Sequence, residues 1–598
     1  MAREVRVGFK DYFLISIIYL AIALVMFWPV AINPAGMITG GVPNSIFQGS
    51  GDSYQNLWTL WWVNYAIFTL HVTPYFTHLL YAPIGASLVT ETLSPFAALF
   101  SLPFQAVSLG FAYNVIFFLD FVLSGLFMFL LADHIVKNRY AAFIAGIVFA
   151  FSPFHLMHAG VGHLNWDSIQ FLPLFVLLLL RMIEEKKAVY AAGAGVCLAL
   201  VTFFGDPEQA IIALMFVVMF LLLKLSDKKY RESVLSARFA INSLVVIVVA
   251  AVICSPFLVP IAYGIAHGAL AAANQYNTIK SYMISSNPIL SFFLPSPYNN
   301  FFSWISASYS SVYVVNPTER VAYIGYAALA LALLAIWGDR NGRFATTFAW
   351  VVIALFFAWL SLGPYVQLGS YSDPNSGSVP GIYPAITAIP IANLVREPAR
   401  FEMVVTLALA ILSAIGLKEL FAIRKVKDSD AARYLTIIVA IIMLIEYNGI
   451  PITQSFINSY FFNLNISSGY NLIAQNSSNF AVMILPTIQN IGENPTVFHP
   501  QLYTGLSMYY QTVFRKPIIG GYTSRVNYTQ QLQALEIPIS VYGSFLQRGI
   551  NFAYTSPVLE NYSNLTLYWL GRYNVAYVPV IKGAYSQQNA TVLDNALG

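Results

Sequence analysis

The sequence predicts an all-α polytopic membrane bundle of about 11–13 transmembrane helices, followed by a C-terminal extracytoplasmic α/β domain. The first observation is composition, since 58% of the 598 residues are hydrophobic and only 9% are charged. Soluble chains carry about 25% charged residues. The second observation is the distribution of apolar residues, which gather in long runs as far as residue 452 and give way to a polar tail.

Eleven apolar segments are predicted to cross the membrane. Several are shorter than the roughly 20 residues that a bilayer core requires, so their helices should extend into the flanking residues. The predicted spans lie near residues 12–32, 114–132, 140–154, 170–182, 188–204, 209–225, 238–262, 321–337, 344–362, 402–423 and 434–452.

Lysine and arginine predict the orientation, because cytoplasmic loops are enriched in both. With the N-terminus in the cytoplasm, the inner segments before residue 453 hold twenty of these residues and the outer loops hold four. The chain is therefore predicted to be an integral protein of the cell membrane with an extracytoplasmic C-terminal region. The net charge of +4 is small and dispersed, so nucleic acid is not an expected partner.

The predicted domain boundary separates a transmembrane module, residues 1–452, from an extracytoplasmic domain, residues 453–598. Strand-like runs such as 481–485 and 575–580 indicate an α/β domain in the tail. Asparagine-linked glycosylation sequons occur only in this tail, which supports an extracytoplasmic location. They lie at Asn465, Asn476, Asn527, Asn561, Asn564 and Asn589. A tail rich in Asn and Ser could also contain sequons by chance.

The long first outer loop, about residues 33–113, carries an early carboxylate, Asp52. Trp58 begins an aromatic stripe that continues at i+3, i+4 and i+7, which predicts a helix lying in the lipid headgroup layer. The apolar run 91–108 is expected to be re-entrant or in-plane, although 55–70 and 91–108 could form two further spans. An acid beside such an aromatic surface is suited to chemistry on a lipid headgroup, and the alternative is a simple interfacial anchor.

The predicted orientation gathers most of the unusual polar residues on the outer face. The second outer loop contains three histidines and an acid, a third loop contains Gly205-Asp206-Pro207-Glu208, and a later loop contains Arg396-Glu397-Pro398-Ala399-Arg400. Each group also has a structural interpretation, as hydrogen-bonding partners, a turn or interfacial arginines. The candidate site residues are Asp52, Trp58, His155, His158, His163, Asp167, Asp206, Glu208, Arg396 and Arg400.

These residue types predict a reaction at the membrane surface. Arg396 and Arg400 could bind a lipid phosphate, because guanidinium groups make forked contacts with phosphate oxygens. A carboxylate such as Asp52 could accept the proton of an acceptor hydroxyl. The lipid phosphate leaves as an anion, so the reaction needs cations to stabilise it and no general acid. Glycoside hydrolysis, by contrast, requires two carboxyl groups.

The chain resembles the GT-C superfamily of polytopic glycosyltransferases, which use polyprenyl- or dolichyl-phosphate-linked sugars. The matching features are Asp52 in GDSYQNLWTLWW, the basic turn Lys137-Asn138-Arg139, and the polar loop 155–168. The motifs VREPARF (395–401) and MYYQTVFRKPIIGGYTSR (508–525) are similar to those of a prokaryotic, archaeal-like branch. The oligosaccharyltransferase WWDYG signature is absent, because Val63 follows Trp61-Trp62.

The resemblance implies an inverting glycosyltransferase with Asp52 as the catalytic base and an acceptor glycan, lipid or protein. Asp167, Asp206 or Glu208 would supply a second acidic site, and the three histidines would help to shape the donor site. A divalent cation such as Mg²⁺ or Mn²⁺ is an open question, and Asp52, Asp167 and His163 would hold it. A transporter or lipid flippase using Asp120, Asp206 and Glu208, and a non-catalytic envelope glycoprotein, are the alternative functions.

Overall fold

The computed structural model describes sixteen stretches of the chain, most of them helical. They are residues 9–40, 51–268, 278–296, 299, 301–307, 309, 312, 319–338, 344–369, 379–389, 392–424, 426, 429–448, 461–484, 500–523 and 571–579.

The α-helices fall into three groups. The first group comprises α1 (Phe9–Met26) and α2 (Trp28–Ile32), which precede the first loop, and α3 (Gly51–Tyr65) and α4 (Pro95–Gln105), which lie within it. The bundle continues with α5 (Leu109–Val136), α6 (Arg139–Ala150), α7 (Pro153–Val161), α8 (Leu164–Asp167), α9 (Phe171–Glu185), α10 (Ala188–Phe203), α11 (Pro207–Ser226), α12 (Lys228–Val234) and α13 (Ala237–Ala266). The third group comprises α14 (Ile279–Ile284), α15 (Ser303–Ala307), α16 (Tyr326–Gly338), α17 (Phe344–Ser361), α18 (Tyr383–Thr387), α19 (Glu402–Ile423) and α20 (Ser429–Tyr447), followed in the tail by α21 (Gly469–Gln475) and α22 (Pro500–Phe514).

Each of the eleven predicted spans overlaps a helix or a pair of consecutive helices within the described residues. Within the described stretches, five helices are long and apolar enough to cross a bilayer, and the bent pair α6–α7 would make a sixth. The five are Leu109–Val136, Leu164–Glu185, Pro207–Ser226, Ala237–Ala266 and Pro398–Ile423. Helices α3 and α4 have 15 and 11 residues, fewer than the roughly 20 that a span requires. The protein is therefore a helical integral membrane protein.

Helix α19 lies at the centre of the bundle, with 83% of its apolar segment buried, whereas α13 lies at the periphery with 22% buried. Gly416 allows α16 to approach α19, because a Cβ at this position would lie 1.8 Å from the carbonyl oxygen of Leu331. A small residue at this crossing permits close helix packing where lipid supplies no hydrophobic driving force between helices.

Local capping residues fix several helix boundaries near the predicted turns. Asn138, in the predicted basic turn, accepts a hydrogen bond from Ala141 N and caps α6. Ser152 caps α7 and Asp206 caps α11, and a proline occupies the first turn of both helices. Proline suits this position because the first helical N–H groups have no partner within the helix.

The described strands are short and join distant parts of the chain. β1 (Met37–Thr39) pairs antiparallel with β6 (Phe461–Asn463), so the tail returns to the first loop. The remaining pairs are β2 (Phe76–Thr77) with β3 (Ala86–Ser87), β4 (Tyr365–Val366) with β5 (Val379–Pro380), and the parallel pair β7 (Ala481–Val482) with β8 (Val575–Tyr577). β7 and β8 lie within the two strand-like runs expected in the tail.

Candidate functional site

The site is built around Asp52, in the first turn of α3. The side-chain amide of Asn56 donates to the carbonyl oxygens of Asp52 and Gly162, at 2.9 and 3.1 Å. This bridge places the start of α3 against the end of α7. Gly162 has φ 81° and ends α7, and a Cβ there would lie 1.8 Å from Ser53 Oγ. Glycine is therefore required both by the backbone conformation and by the packing.

The turn at Gly162 presents His163 to Asp52. His163 Nε2 lies 3.2 Å from Asp52 Oδ2, and the two side chains are 16% and 32% exposed. Burial by itself raises the pKa of Asp52, but the hydrogen bond and charge of His163 and the Tyr522 hydroxyl lower it below the usual value. Burial opposes protonation of His163, whereas Asp52 and Glu319 raise its pKa. The pair therefore favours a carboxylate facing an imidazolium.

Asp52 and His163 open on a small cleft of about 50 Å³. Three more of the predicted residues, Asp206, Arg396 and Arg400, line the same cleft. The sequence therefore predicted five of the residues that the fold brings together. The remaining lining residues are Gln55, Asn56, Thr92, Asn165 and Trp166.

The two arginines have different environments. Arg400 is 8% exposed and binds Glu208 at 3.0 Å and both carboxylate oxygens of Glu319, at 3.0 and 3.3 Å. Its guanidinium also lies 4.5 Å from the Trp166 ring centroid. Arg396 is 29% exposed, and its Nε lies 3.6 Å from Glu397. Arg396 is thus accessible to a ligand in the cleft, whereas Arg400 is enclosed by carboxylates.

The histidines of the second outer loop also lie in different environments. His155 is fully buried, with Nδ1 2.6 Å from the carbonyl oxygen of Ala150 and Nε2 2.7 Å from Asp167 Oδ1. Asp167 is buried with it and does not line the cleft. The structure therefore does not bring His155 and Asp167 to the cleft with Asp52, because the two side chains pair with each other inside the bundle.

Trp58 is enclosed by the protein. It is 1% exposed, stacks on Trp62 with ring centroids 5.5 Å apart, and donates from Nε1 to Gln511 Oε1 at 2.8 Å. Trp58 on the aromatic face of α3 therefore packs against α22, where its contacts are with protein. A helical stripe of aromatic residues has the same spacing whether it faces lipid or protein.

Asp206 and Glu208 have structural partners. Asp206 accepts hydrogen bonds from Glu208 N, from the Thr92 hydroxyl at 2.7 Å and from the Asn165 amide at 2.9 Å. Glu208 forms the ion pair with Arg400. Asp206 thus contributes charge to the cleft wall, and Glu208 helps to hold Arg400 in place.

Sequence reasoning missed Glu319, which belongs to none of the motifs considered above and lies just before the predicted span at 321–337. It lies 3.8 Å from His163 Nδ1 and 4.0 Å from His158 Nε2. Burial acts to raise the pKa of Glu319, but the Arg400 charge lowers it well below its usual range. Its position beside Arg320 at the start of an apolar run was the available signal.

His158, His163 and Glu319 could hold a metal ion, because one ligand atom from each lies within 4.8 Å of the others. This set replaces the predicted Asp52, Asp167 and His163, since Asp167 is paired with His155. His158 Nε2 is buried and has no hydrogen-bond partner within the described stretches, which leaves a donor atom for a cation. Two imidazoles and a carboxylate suit a transition-metal dication such as Mn²⁺ better than Mg²⁺.

Two predicted glycosylation positions lie within the described residues. Asn465 is exposed, and the Asn476 amide donates to the Tyr577 hydroxyl at 3.1 Å. The sequons at Asn527, Asn561, Asn564 and Asn589 lie outside the described residues.

Comparison with known proteins assigns the chain to a family. Residues 20–445 match the family model described as Domain of unknown function (DUF6311), and the chain belongs to this family. No curated protein matches the chain.

Among solved structures, the arabinofuranosyltransferase AftD from Mycobacteria is similar with a TM-score of 0.51 and 13% identity, over 87% of this chain and 32% of that protein. The chain thus spans about a third of the length of AftD. This likeness shows that the protein has a GT-C-like fold.

Two other solved structures are similar with lower TM-scores. The archaeal oligosaccharyltransferase AglB from Archaeoglobus fulgidus, in complex with an inhibitory peptide and a dolichol-phosphate, has a TM-score of 0.49 and 13% identity, over 95% of this chain and 69% of that one. ArnT from Cupriavidus metallidurans, bound to undecaprenyl phosphate, has a TM-score of 0.44 and 11% identity, over 89% and 91% of the two chains.

Proposed function

We propose that the protein is an inverting glycosyltransferase that moves a sugar from a polyprenyl- or dolichyl-phosphate donor to an acceptor hydroxyl. The observation that carries the proposal is the shared cleft of Asp52 and Arg396, which combines an accessible carboxylate with an accessible guanidinium. A carboxylate is suited to accept a proton, and a guanidinium is suited to bind phosphate oxygens. The GT-C-like fold supports this class of reaction.

In the proposed reaction, the acceptor oxygen attacks the anomeric carbon from the face opposite the lipid phosphate. Its proton passes to Asp52 as the new glycosidic bond forms. The bond between the anomeric carbon and the phosphate oxygen breaks, and its electron pair leaves with the lipid phosphate. Arg396 binds this anion, and the single displacement inverts the configuration of the anomeric carbon.

His163 and Arg400 have supporting roles in this mechanism. His163 contacts one oxygen of Asp52 and favours the ionised carboxylate. Arg400 holds Glu319 and Glu208 in fixed positions at the rear of the cleft. If His158, His163 and Glu319 held a divalent cation, His163 would bind it as the neutral imidazole, and the cation would supply the positive charge beside Asp52 in place of the imidazolium.

The cellular arrangement is part of the same proposal. The asymmetry of lysine and arginine supports a cytoplasmic N-terminus, which would place Asp52 and the C-terminal region on the extracytoplasmic side. The donor would then reach the cleft from the outer leaflet, and the acceptor could be a glycan, a lipid or a protein. The sequons of residues 453–598 would be accessible to glycosylation on that side.

Transport by a flippase is the second candidate, and Asp120 is the observation that favours it. This carboxylate is fully buried within α5 and accepts hydrogen bonds from Ser168 at 2.7 Å and Gln170 at 2.6 Å. An ionisable residue in a spanning helix is often functional. Both carboxylate oxygens of Asp120 are engaged by hydrogen-bond donors inside the bundle, however, and the acids that line the cleft cluster at one end of the bundle. The cleft beside Asp52 also disfavours a non-catalytic envelope protein.

The direct experiment incubates the purified full-length protein with labelled polyprenyl-phosphate sugars and candidate acceptors. Release of free polyprenyl phosphate together with a glycosylated acceptor supports the proposal, and parallel reactions with EDTA test the metal requirement. Movement of intact donor across a vesicle bilayer, without sugar transfer, would instead support the flippase.

A further inference from the structure

Tyr522, from the tail, contacts the carboxylate proposed as the base. Its hydroxyl donates to Asp52 Oδ1 at 2.9 Å, and the Gln55 amide donates to the Tyr522 carbonyl oxygen at 3.4 Å. Tyr522 is 7% exposed, so its ring is enclosed while its hydroxyl reaches Asp52. A residue 470 positions away in sequence thus contacts the centre of the cleft.

The backbone around Tyr522 is fixed to the first loop by a short series of hydrogen bonds. Ile518 N donates to Leu79 O at 2.8 Å, Ala82 N to Ile518 O at 3.0 Å, and Tyr81 N to Gly520 O at 3.0 Å. The Tyr81 hydroxyl donates to the carbonyl oxygen of Gly521 at 2.8 Å. These bonds hold residues 518–521 along residues 79–82, immediately before Tyr522.

A second attachment joins the same segment to the helix that carries Asp52. Trp58 Nε1 donates to Gln511 Oε1 at 2.8 Å, and Gln511 Nε2 donates to the carbonyl oxygen of Lys516 at 3.0 Å. α3 is therefore attached to the tail near its start, through Asp52, and near its middle, through Trp58. Such double attachment fixes the rotation of α3 relative to residues 516–522.

We propose that Tyr522 is a positioning residue for Asp52, and that residues 516–523 are consequently part of the active site. The inference rests on the proposed function, in which Asp52 is the base. Tyr522 holds Oδ1 and His163 lies against Oδ2, so the two contacts together fix the plane of the carboxylate. Each carboxylate oxygen retains further acceptor capacity, so the acceptor hydroxyl can still approach.

The activity test compares Tyr522→Phe with Tyr19→Phe. Tyr522→Phe deletes the hydroxyl on Asp52 and is expected to lower kcat about tenfold, with the KM for donor and the thermal midpoint unchanged. Tyr19→Phe deletes another buried tyrosine hydroxyl, which donates to the carbonyl oxygen of Phe143 at 3.0 Å within the bundle, and should retain kcat within about twofold. An unchanged kcat for Tyr522→Phe, or equal losses in the two variants, would overturn the positioning role.

A second readout needs no transfer activity. Carbodiimide-coupled amine labelling at one fixed pH, followed by peptide mass spectrometry, measures the reactivity of Asp52 against the exposed carboxylate of Asp430. Removing the Tyr522 hydroxyl should increase labelling of Asp52 severalfold and leave Asp430 unchanged, because Oδ1 loses its hydrogen-bond donor. Equal labelling of Asp52 in both proteins would overturn the proposed contact.

The two readouts separate the two proposals. A wild-type protein that is inactive with every donor, but in which labelling of Asp52 still responds to Tyr522→Phe, would overturn the transferase assignment and support the Tyr522 contact. An active protein in which Tyr522→Phe changes neither kcat nor labelling would overturn the role of Tyr522 and leave the transferase assignment standing.

Discussion

The second outer loop contributes to two histidine–carboxylate pairs, His155 with Asp167 and His163 with Asp52. Only the second pair faces the cleft. His155 and Asp167 lie 2.7 Å apart with both side chains fully buried, whereas His163 and Asp52 lie 3.2 Å apart and remain 16% and 32% exposed. The residue types are the same in both pairs. Exposure to the cleft therefore separates a pair that can meet a substrate from a pair that holds α7 against α8.

The largest expected effect comes from the exposed pair. Asp52→Asn keeps the shape of the side chain but removes the base, so transfer should fall by about 10³-fold or more. The thermal midpoint should stay close to that of the wild type, since the side chain is partly solvated. Asp430→Asn, at an exposed helix start, is the matched control and should keep full activity. Comparable transfer rates in Asp52→Asn and wild type would exclude Asp52 as the base.

The buried pair should show the opposite behaviour. Asp167→Asn leaves His155 with an altered partner in a site without solvent, and breaking a buried charged pair costs about 3 kcal/mol or more. We expect a lower thermal midpoint and poor yield of folded protein, measured by fluorescence-detected chromatography across a temperature series. His163→Gln, in the exposed pair, should keep its midpoint. A stable Asp167→Asn protein with a specific loss of catalysis would return Asp167 to the site.

The two arginines extend this comparison to the donor. Arg396→Gln should raise the KM for the polyprenyl-phosphate donor about tenfold with little change in stability, because one charged contact to phosphate is lost. Arg400→Gln should instead destabilise the fold, because it leaves Glu208 and Glu319 buried without their cation. Steady-state kinetics and thermal unfolding of both variants test this, and an unaltered donor KM in Arg396→Gln would contradict the assigned role.

The smallest effect concerns the turn that separates the pairs. Gly162→Ala forces a Cβ onto a left-handed residue and against Ser53 Oγ, at a cost of about 1–2 kcal/mol. His163 should shift relative to Asp52, so kcat should fall more than the modest change in thermal midpoint suggests. The double variant Ser53→Gly/Gly162→Ala removes the clash but keeps the unfavourable φ, and should recover part of the loss. Full activity in Gly162→Ala would show that this turn does not set the position of His163.

The sequence predicted the helical framework well because a membrane-spanning helix has a local sequence signal, a long run of apolar residues. The same locality explains why Asp52, His163, Asp206 and Arg396 could be assigned to one end of the bundle. Each is a polar residue at the end of an apolar segment, and alternating spans bring such ends together. Polarity and loop position were sufficient for these residues.

The errors and omissions arise where side chains choose partners across the fold. Charge alone did not indicate that Arg400 would be enclosed by Glu208 and Glu319, or that Asp167 would pair with His155. Tyr522 lies in a motif noted in the sequence, but its hydroxyl reaches Asp52 only through packing of α22 on α3. The packing partner of a polar or aromatic side chain was therefore the information missing from the linear pattern.

The most direct test of the central claim is the anomeric configuration of the product formed from a polyprenyl-phosphate sugar of defined configuration. Nuclear magnetic resonance of the isolated product would give this configuration. Direct displacement assisted by Asp52 predicts a product of inverted configuration whose formation is lost in Asp52→Asn. A product of retained configuration, or one formed equally well by Asp52→Asn, would contradict the account.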